Sequence, residues 1–394
     1  MTEVQGFVAP GFEAVRDAFA RNFTDHGDVG AQFALYRRGE LVVDLVGGTT
    51  TPDGSAPYTP EHLQLVYSTT KGATAICAHL LVERGELDVD APVTDYWPEF
   101  KAHGKADVPV SWLLSHRVGL PDVDREMTYE QALAWDPVVE ALADSVPMWE
   151  PGSQHGYHAV TYGWLVGELV RRVSGKSLGS FFRDEIAEPL GLDFWIGLPD
   201  EQHTRVVPLV KFGLPAGLDL GLPPEQMPGM MEMLKLMMGP ESLIARALTA
   251  PGGAFTSTDI WEDPNLWRAE LGAANGITNA SSLAKMYAAT VGEVDGVRLL
   301  SEATLANAIE VRATGPDAVL MMDIPFGLGF MRDSNFSKFG SPSAFGHYGL
   351  GGSVGFGDAE AGIGFGYVMN KLALGIAGDP RTSDLIDAVY LSLG

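Results

Sequence analysis

Residues 63–85, LQLVYSTTKGATAICAHLLVERG, contain the stretch on which the fold prediction depends. All but two of residues 73–82 are apolar, and Gly85 ends the run. A helix that is apolar on nearly every face is buried inside a protein. We therefore predict a buried helix that begins at Ser68 and ends near Gly85.

Ser68 and Lys71 form an S-x-x-K pattern at the start of this helix. A spacing of three residues puts them on one helix face, with Cβ atoms ~5–6 Å apart. Unpaired N–H groups and the helix dipole favour a developing negative charge at this point. A serine with an amine one turn later suits acyl transfer. The same letters also fit an N-cap serine followed by a first-turn lysine.

Three other serines compete for the role of nucleophile. Residues 282–285 repeat the S-x-x-K pattern but indicate an ordinary capped helix with a solvated lysine, whereas Lys71 heads a buried helix. Ser177 and Ser353 lie in G-x-S-x-G stretches, which in α/β-hydrolases need a preceding strand and a later histidine. Ser177 follows a helical pattern, and no histidine follows Ser353. We interpret both stretches as glycine-rich turns.

Strand patterns lie near both ends of the chain, and the middle is mostly helical. Two hairpins are predicted, from residues 31–36 with 41–46 and from residues 353–356 with 363–369. Helical patterns cover residues 11–23 and 384–393, and another ends at Gly175. These patterns predict a sheet assembled from both ends of the chain, with a helical lobe inserted between them.

The domain prediction is a single catalytic unit over residues 1–394 with two lobes. Residues 1–95 and 275–394 form the α/β lobe, and residues 96–274 form the mostly helical lobe. A Met- and Pro-rich segment, residues 208–260, lies in the helical lobe. Because methionine adapts to varied apolar shapes, residues 227–238 are interpreted either as a flap over an acyl pocket or as a packed helix.

Composition disfavours several classes of partner. The 394-residue chain has a net charge of −25, which disfavours nucleic acid and anionic membranes as partners. Cys77 is the only cysteine, so no internal disulfide or cysteine-based metal site can form. No stretch approaches the ~18 apolar residues of a membrane span. Since residues 1–15 do not resemble a secretory signal, we expect a cytoplasmic protein. The sequence does not indicate the oligomeric state.

Four blocks occur in order along the chain and carry a family resemblance. They are YSTTKG at 67–72, WLLSHRVGLP at 112–121, WEPGSQHGYH at 149–158 and FGHYGLGGSVGF at 345–356. In these blocks the chain resembles the family VIII carboxylesterases, serine hydrolases related to class C β-lactamases and D-alanyl-D-alanine peptidases. The resemblance implies an α/β fold like theirs, with an antiparallel sheet flanked by helices.

The resemblance also implies roles for individual residues. Ser68 would be the nucleophile, Lys71 its partner and Tyr157 the tyrosine of the third block. The family's lysine-threonine-glycine element falls on residues 347–349, that is His347, Tyr348 and Gly349. The oxyanion hole would consist of the backbone N–H groups of Ser68 and Leu350. No metal or cofactor is implied.

The identity of the base stays open at this point. Free lysine and tyrosine side chains have pKa values of ~10.4 and ~10, so one of them must shift to act near neutral pH. Burial would lower the pKa of Lys71, and a neighbouring ammonium would lower that of Tyr157. The two effects compete, and we expect the pair to act together.

Two departures from the family pattern bear on the substrate. Ala159 stands where related β-lactamases carry asparagine, and His347 replaces the strand lysine that anchors a carboxylate. A substrate that loses its hydrogen bond to a charged group loses ~1.5–3 kcal/mol of binding free energy. Both departures therefore disfavour β-lactam and D-Ala-D-Ala substrates and favour a neutral ester. We expect His347 to be a neutral donor or wall residue. His155 and His158 lack a third ligand for zinc and are interpreted as polar lining or caps.

These observations predict a serine carboxylesterase that hydrolyses short- to medium-chain esters through a Ser68 acyl-enzyme. The expected partner is therefore a small-molecule ester. An amide hydrolase, an acyltransferase or a weak β-lactamase would use the same chemistry. A non-catalytic binding module that retained the fold is the alternative of another class, which the presence of Ser68, Lys71 and Tyr157 disfavours.

Overall fold

A computed structural model describes residues 3–211, 239 and 242–394 of the chain. Residues 227–238 lie outside the described residues, and so do both hypotheses for that methionine-rich stretch. No helix within the described ranges is long and apolar enough to cross a membrane.

Ten strands form two antiparallel sheets in the described chain. The larger sheet contains β1 (Val4–Val8), β2 (Gly30–Arg37), β3 (Glu40–Gly48), β7 (Met331–Arg332), β8 (Ala344–Tyr348), β9 (Val354–Asp358) and β10 (Ile363–Met369). Their order is β1-β3-β2-β10-β9-β8-β7, so β2 and β10 join the two ends of the chain at the centre. The smaller sheet contains β4 (Gln64–Leu65), β6 (Ile277–Thr278) and β5 (Phe194–Trp195), in that order. The predicted sheet from both ends is confirmed.

The helices of the described chain lie mostly between β3 and β7. They are α1 (Glu13–Asp25), α2 (Thr70–Glu83), α3 (Val110–Leu114), α4 (Tyr129–Leu133), α5 (Asp136–Asp144), α6 (Tyr162–Ser174), α7 (Leu178–Phe182), α8 (Glu188–Leu190), α9 (Leu243–Thr249), α10 (Pro264–Arg268), α11 (Ala280–Val291), α12 (Glu302–Ile309) and α13 (Pro380–Leu393). A π-helical turn covers Arg183–Ala187, and 3-10 turns cover Val93–Asp95, Pro98–Gly104, Asp200–Arg205 and Thr258–Glu262. Helix α11 packs on β2, β9 and β10, and α1 packs on α13.

Most predicted elements are present, with shifts at their boundaries. Both hairpins form, and Gly175 ends α6 in the left-handed conformation. The last helix begins at Pro380 rather than at residue 384, because Asp379 caps it and proline fits the first helical position. Helix α2 begins at Thr70 rather than Ser68, since Ser68 lies in the turn before it.

The buried character of α2 is confirmed. Every residue from Thr70 to Leu81 is buried, and the helix packs against α6, α7 and β8. One continuous hydrophobic core extends from Phe12 to Val389. The smaller sheet takes one strand from each of the three segments 1–95, 96–274 and 275–394, which ties them together next to Ser68. The division into lobes at those residues stays a prediction.

Candidate active site

Ser68 occupies a tight turn between β4 and α2. The preceding residue, Tyr67, has a φ of 46°, a left-handed conformation of the kind that concentrates at functional sites. The N–H groups of Thr69 and Thr70 donate to the carbonyls of Val66 and Tyr67. The N–H of Ser68 donates to no group within the described chain. Ser68 is partly exposed, so its hydroxyl and its free N–H are available to a ligand.

Lys71 is fully buried beside Ser68. Its Nζ lies 3.1 Å from Ser68 Oγ, 2.6 Å from the carbonyl oxygen of Ala159 and 3.0 Å from that of Ala273. No carboxylate of the described residues pairs with it. Burial without a counter-charge lowers the pKa of the Lys71 ammonium well below its ordinary value.

Tyr157 faces the same amine. Lys71 Nζ lies 4.8 Å from the centroid of the Tyr157 ring. Burial raises the pKa of the Tyr157 phenol, and its polar contact with Ser68 opposes part of that rise. Its backbone N–H donates to Asp317 Oδ1 at 3.0 Å, a carboxylate oxygen that also accepts two further backbone N–H groups. The three predicted residues therefore meet in one place.

The turn of residues 349–352, which follows β8, packs against the Ser68 turn. A Cβ on Gly349 would lie 2.1 Å from the Val66 carbonyl oxygen, so only glycine allows this approach. The N–H groups of Gly349, Gly351 and Gly352 each donate to a carbonyl at 2.8–3.1 Å. That of Leu350 donates to no described group, and Leu350 is partly exposed. Two free N–H groups, on Ser68 and Leu350, therefore lie in adjoining turns.

His347 is buried and neutral. Its Nδ1 lies 2.6 Å from the carbonyl oxygen of Tyr348. Because a carbonyl only accepts, Nδ1 carries the proton and Nε2 is an acceptor, for which no partner exists in the described chain. Burial and the charge of Lys71 lower the pKa of His347 to about 3. The ring stacks on Tyr157, with centroids 5.9 Å apart.

The comparison with known families agrees with this geometry. The profile of the family described as Beta-lactamase matches residues 15–385. The chain belongs to the beta-lactamase family. The Mycobacterium tuberculosis protein named Esterase/beta-lactamase LipL is 34% identical to this beta-lactamase-family chain over 390 residues, which are 94% of this chain and 83% of LipL.

Two solved structures resemble this beta-lactamase-family protein along its whole length. A penicillin-binding protein homologue from Caulobacter crescentus is 38% identical with a TM-score of 0.86, covering 99% of this chain and 100% of that one. A family VIII carboxylesterase is 37% identical with a TM-score of 0.84 and the same coverage. The resemblance to family VIII carboxylesterases and the predicted fold class are confirmed.

Within this beta-lactamase-family protein, the competing serines have structural contacts. Ser353 is buried and donates to the Val66 carbonyl at 2.9 Å. Ser177 caps α7 and donates to Glu270 at 2.8 Å. Lys285, interpreted as solvated, instead donates to the Leu190 carbonyl and pairs with an aspartate, both at 2.7 Å. Their interpretation as turn and helix residues fits these contacts.

Of the two histidines in the third sequence block, His158 is held by hydrogen bonds. His158 Nε2 accepts from the Leu120 N–H at 2.9 Å, and its Nδ1 lies 2.7 Å from the Gly156 carbonyl. His155 is also buried, and its Nε2 lies 3.9 Å from Asp317 Oδ2. No cluster of three metal-ligating side chains occurs in the part of the chain that the structure describes.

Several contacts of the site do not follow from the sequence. In the sequence, Ala159 draws attention because it replaces an asparagine and so lacks the amide side chain. In the structure, its backbone carbonyl and that of Ala273 accept hydrogen bonds from Lys71. Backbone carbonyls leave no trace in a sequence, since every residue has one. Asp317 is 160 positions from Tyr157, and only its isolation in an otherwise apolar stretch could draw attention to it.

Proposed function

We propose that this protein is a serine carboxylesterase that hydrolyses short- to medium-chain esters through an acyl-enzyme on Ser68. The observation that carries the proposal is the buried Lys71 amine, 3.1 Å from Ser68 Oγ with no carboxylate partner in the described chain. Relatives named as esterases, and a family VIII carboxylesterase of the same fold, support an ester as the substrate.

Lys71 is the base in this proposal. A neutral amine has two N–H donors and one lone pair. The carbonyls of Ala159 and Ala273 accept the two donors, which leaves the lone pair for the hydroxyl hydrogen of Ser68. The lowered pKa of Lys71 favours this neutral form, while burial keeps Tyr157 protonated. We therefore propose Lys71, rather than Tyr157, as the base that the sequence leaves open.

The reaction proceeds in two halves. Ser68 Oγ attacks the ester carbonyl carbon while its proton moves to Lys71, and the resulting oxyanion binds the N–H groups of Ser68 and Leu350. The carbon–oxygen bond to the alcohol then breaks, and the alkoxide takes a proton from Lys71 through the Tyr157 hydroxyl. Water attacks the acyl-enzyme, giving a proton to Lys71, and Ser68 leaves with that proton as the acid is released.

His347 and Ala159 set the substrate class. Because His347 is neutral and its buried Nε2 is an acceptor, it offers no positive charge to a substrate carboxylate. Ala159 provides no side-chain amide for an acylamino group. Both features favour an uncharged ester over a penicillin or a D-Ala-D-Ala peptide.

The same proposal covers the cellular location, the partners and the cofactors of the enzyme. We propose a cytoplasmic enzyme whose partner is a small-molecule ester, with no nucleic-acid or membrane partner, in line with the net charge of −25. The proposed steps use Ser68, Lys71, Tyr157 and backbone N–H groups, and need no metal or cofactor.

A panel of p-nitrophenyl esters of increasing chain length, run beside p-nitroanilides of the same acids, tests the proposal. We expect turnover of the short and medium esters and fluorophosphonate labelling of the protein, both abolished in Ser68→Ala. Ser177→Ala is the matched control and retains both, because Ser177 caps α7 and bonds to Glu270 rather than to the Ser68 turn. If the anilides are turned over faster than the esters, the protein is an amidase rather than an esterase. An active Ser68→Ala variant would refute the proposed mechanism.

A further inference from the structure

A buried arginine contacts the 349–352 turn. Arg381 lies in the first turn of α13, and its side chain is 3% exposed. Its Nη2 donates to the carbonyl oxygen of Gly351 at 2.6 Å. Gly351 follows Leu350, whose free N–H is one of the two proposed oxyanion donors. The guanidinium therefore holds the peptide unit of residues 351–352, which lies in the same turn as that donor, two peptide units further along the chain.

Every N–H of this guanidinium is used. Nη1 donates to Asp28 at 2.5 Å and to the Lys371 carbonyl at 2.8 Å. Nε and Nη2 donate to Asp379 at 3.0 and 2.6 Å, and the remaining Nη2 hydrogen reaches Gly351. A guanidinium has five donors in a rigid plane, whereas an ammonium has three on a single atom. No other side chain can reproduce this set of contacts.

The two buried carboxylates hold the guanidinium in place. The side chain of Asp28 is 0% exposed and that of Asp379 is 7% exposed, so each requires the positive charge of Arg381. Asp28 also accepts a hydrogen bond from Tyr367, on β10 at the centre of the sheet. The guanidinium is thus linked to the sheet and to the start of α13 at once.

There is no spare room between the guanidinium and the turn. A Cβ on Gly352 would lie 2.4 Å from Arg381 Nη2 and 2.5 Å from Asp379 Oδ2. The turn also contacts residues 371–375, where the Ala373 N–H donates to the same Gly351 carbonyl at 2.9 Å. Two donors from different segments therefore hold one carbonyl oxygen.

We propose that Arg381 is a positioning residue that fixes the Leu350 N–H for the transition state of the esterase reaction. The inference rests on the proposed function, because it requires an oxyanion at Leu350. An oxyanion forms only after attack by Ser68, so loosening the turn weakens binding of the transition state more than binding of the ester. The loss therefore falls on kcat and leaves KM nearly unchanged.

Arg381→Lys is the first test. It keeps a positive charge between Asp28 and Asp379 but loses the planar fork that reaches Gly351. Because a misplacement of ~1 Å can cost ~10²-fold, we expect kcat for p-nitrophenyl butyrate to fall about 10- to 100-fold, with KM changed less than about threefold. The affinity for a boronic acid, whose tetrahedral adduct with Ser68 mimics the oxyanion, should fall by the same factor as kcat/KM.

Glu168→Gln is the matched stability control. Glu168 is also buried, and within the described chain it bonds only to Trp135, Arg171 and Arg172. It should lower the melting temperature without changing kcat or the boronic acid affinity. An Arg381→Lys variant that is destabilised to the same degree yet keeps wild-type kcat would overturn the proposal.

A second pair of variants acts on the same carbonyl without touching the buried charges, in case Arg381→Lys does not fold. Ala373→Pro removes the other donor to Gly351, on a segment that reaches the surface at Leu374. Leu374→Pro is its control, because the Leu374 N–H donates to no described group. We expect Ala373→Pro to lower kcat and boronic acid affinity together, by about threefold or more, and Leu374→Pro to leave both unchanged. Equal effects of the two prolines would refute the role of the Gly351 carbonyl.

The wild-type enzyme separates failure of this inference from failure of the proposed function. If wild-type protein neither hydrolyses p-nitrophenyl butyrate nor binds the boronic acid, the esterase proposal itself fails. If it does both through Ser68 while Arg381→Lys and Ala373→Pro behave like wild type, only the positioning role of Arg381 is wrong.

Discussion

Replacing Gly349 by alanine tests how closely the 349–352 turn must approach Ser68. The added Cβ would lie 2.1 Å from the Val66 carbonyl oxygen, 2.3 Å from Ser353 Oγ and 2.8 Å from Thr69 Oγ1. Two of these neighbours belong to the segment around Ser68, so the two turns must move apart by roughly 1 Å. A shift of that size at a reacting centre costs about 10²-fold in rate, or about 2.7 kcal/mol.

The assay is kcat/KM for p-nitrophenyl butyrate, with thermal unfolding followed in parallel. Overpacking of this kind lowers the free energy of unfolding by about 1–3 kcal/mol, which leaves an ordinary domain folded at 25 °C. Gly292→Ala is the control, because a Cβ there lies 3.9 Å from its nearest neighbour. A folded Gly349→Ala variant with kcat/KM within about threefold of wild type would refute the reasoning.

Three further predictions concern the reacting groups. Because burial lowers the pKa of Lys71, kcat/KM should rise with pH as the ammonium loses its proton and level off well below the ordinary lysine value of 10.5; a rise centred near that value would contradict a neutral amine. Tyr157→Phe removes the proton relay and should lower kcat about 10²- to 10⁴-fold in ester assays, whereas a smaller loss would assign the relay to another group. His347→Lys supplies a cation for a substrate carboxylate and should raise nitrocefin turnover relative to p-nitrophenyl butyrate about 10-fold or more; an unchanged ratio would remove His347 from the substrate site.

Much of the fold could be predicted because its signals are local. The apolar run of α2, the two hairpins and Gly175 at the end of α6 each depend on residues close together in the chain. The element boundaries were less accurate, because capping decides them. Asp379 and Pro380 start α13 four residues before the apolar pattern begins.

The candidate site divides in the same way. Ser68 and Lys71 belong to a compact motif that can be recognised in the amino-acid sequence, and Tyr157 follows from the family resemblance of the third block. The groups proposed to hold the neighbouring 349–352 turn do not belong to such motifs. Arg381 and Asp28 are 353 residues apart and meet only in the folded chain. The proton position on His347 depends on a carbonyl that the sequence cannot orient: Nδ1 donates to the carbonyl of Tyr348, which leaves Nε2 as an acceptor.

Trapping the acyl-enzyme tests the central claim most directly. After rapid mixing with p-nitrophenyl butyrate and acid quenching, peptide mass spectrometry should find one butyryl group on the peptide that contains Ser68. The same group should be absent from Ser68→Ala and should accumulate when release of the acid is slowed. A protein that turns over the ester with no acyl group on Ser68, or with the group on another residue, would contradict the account.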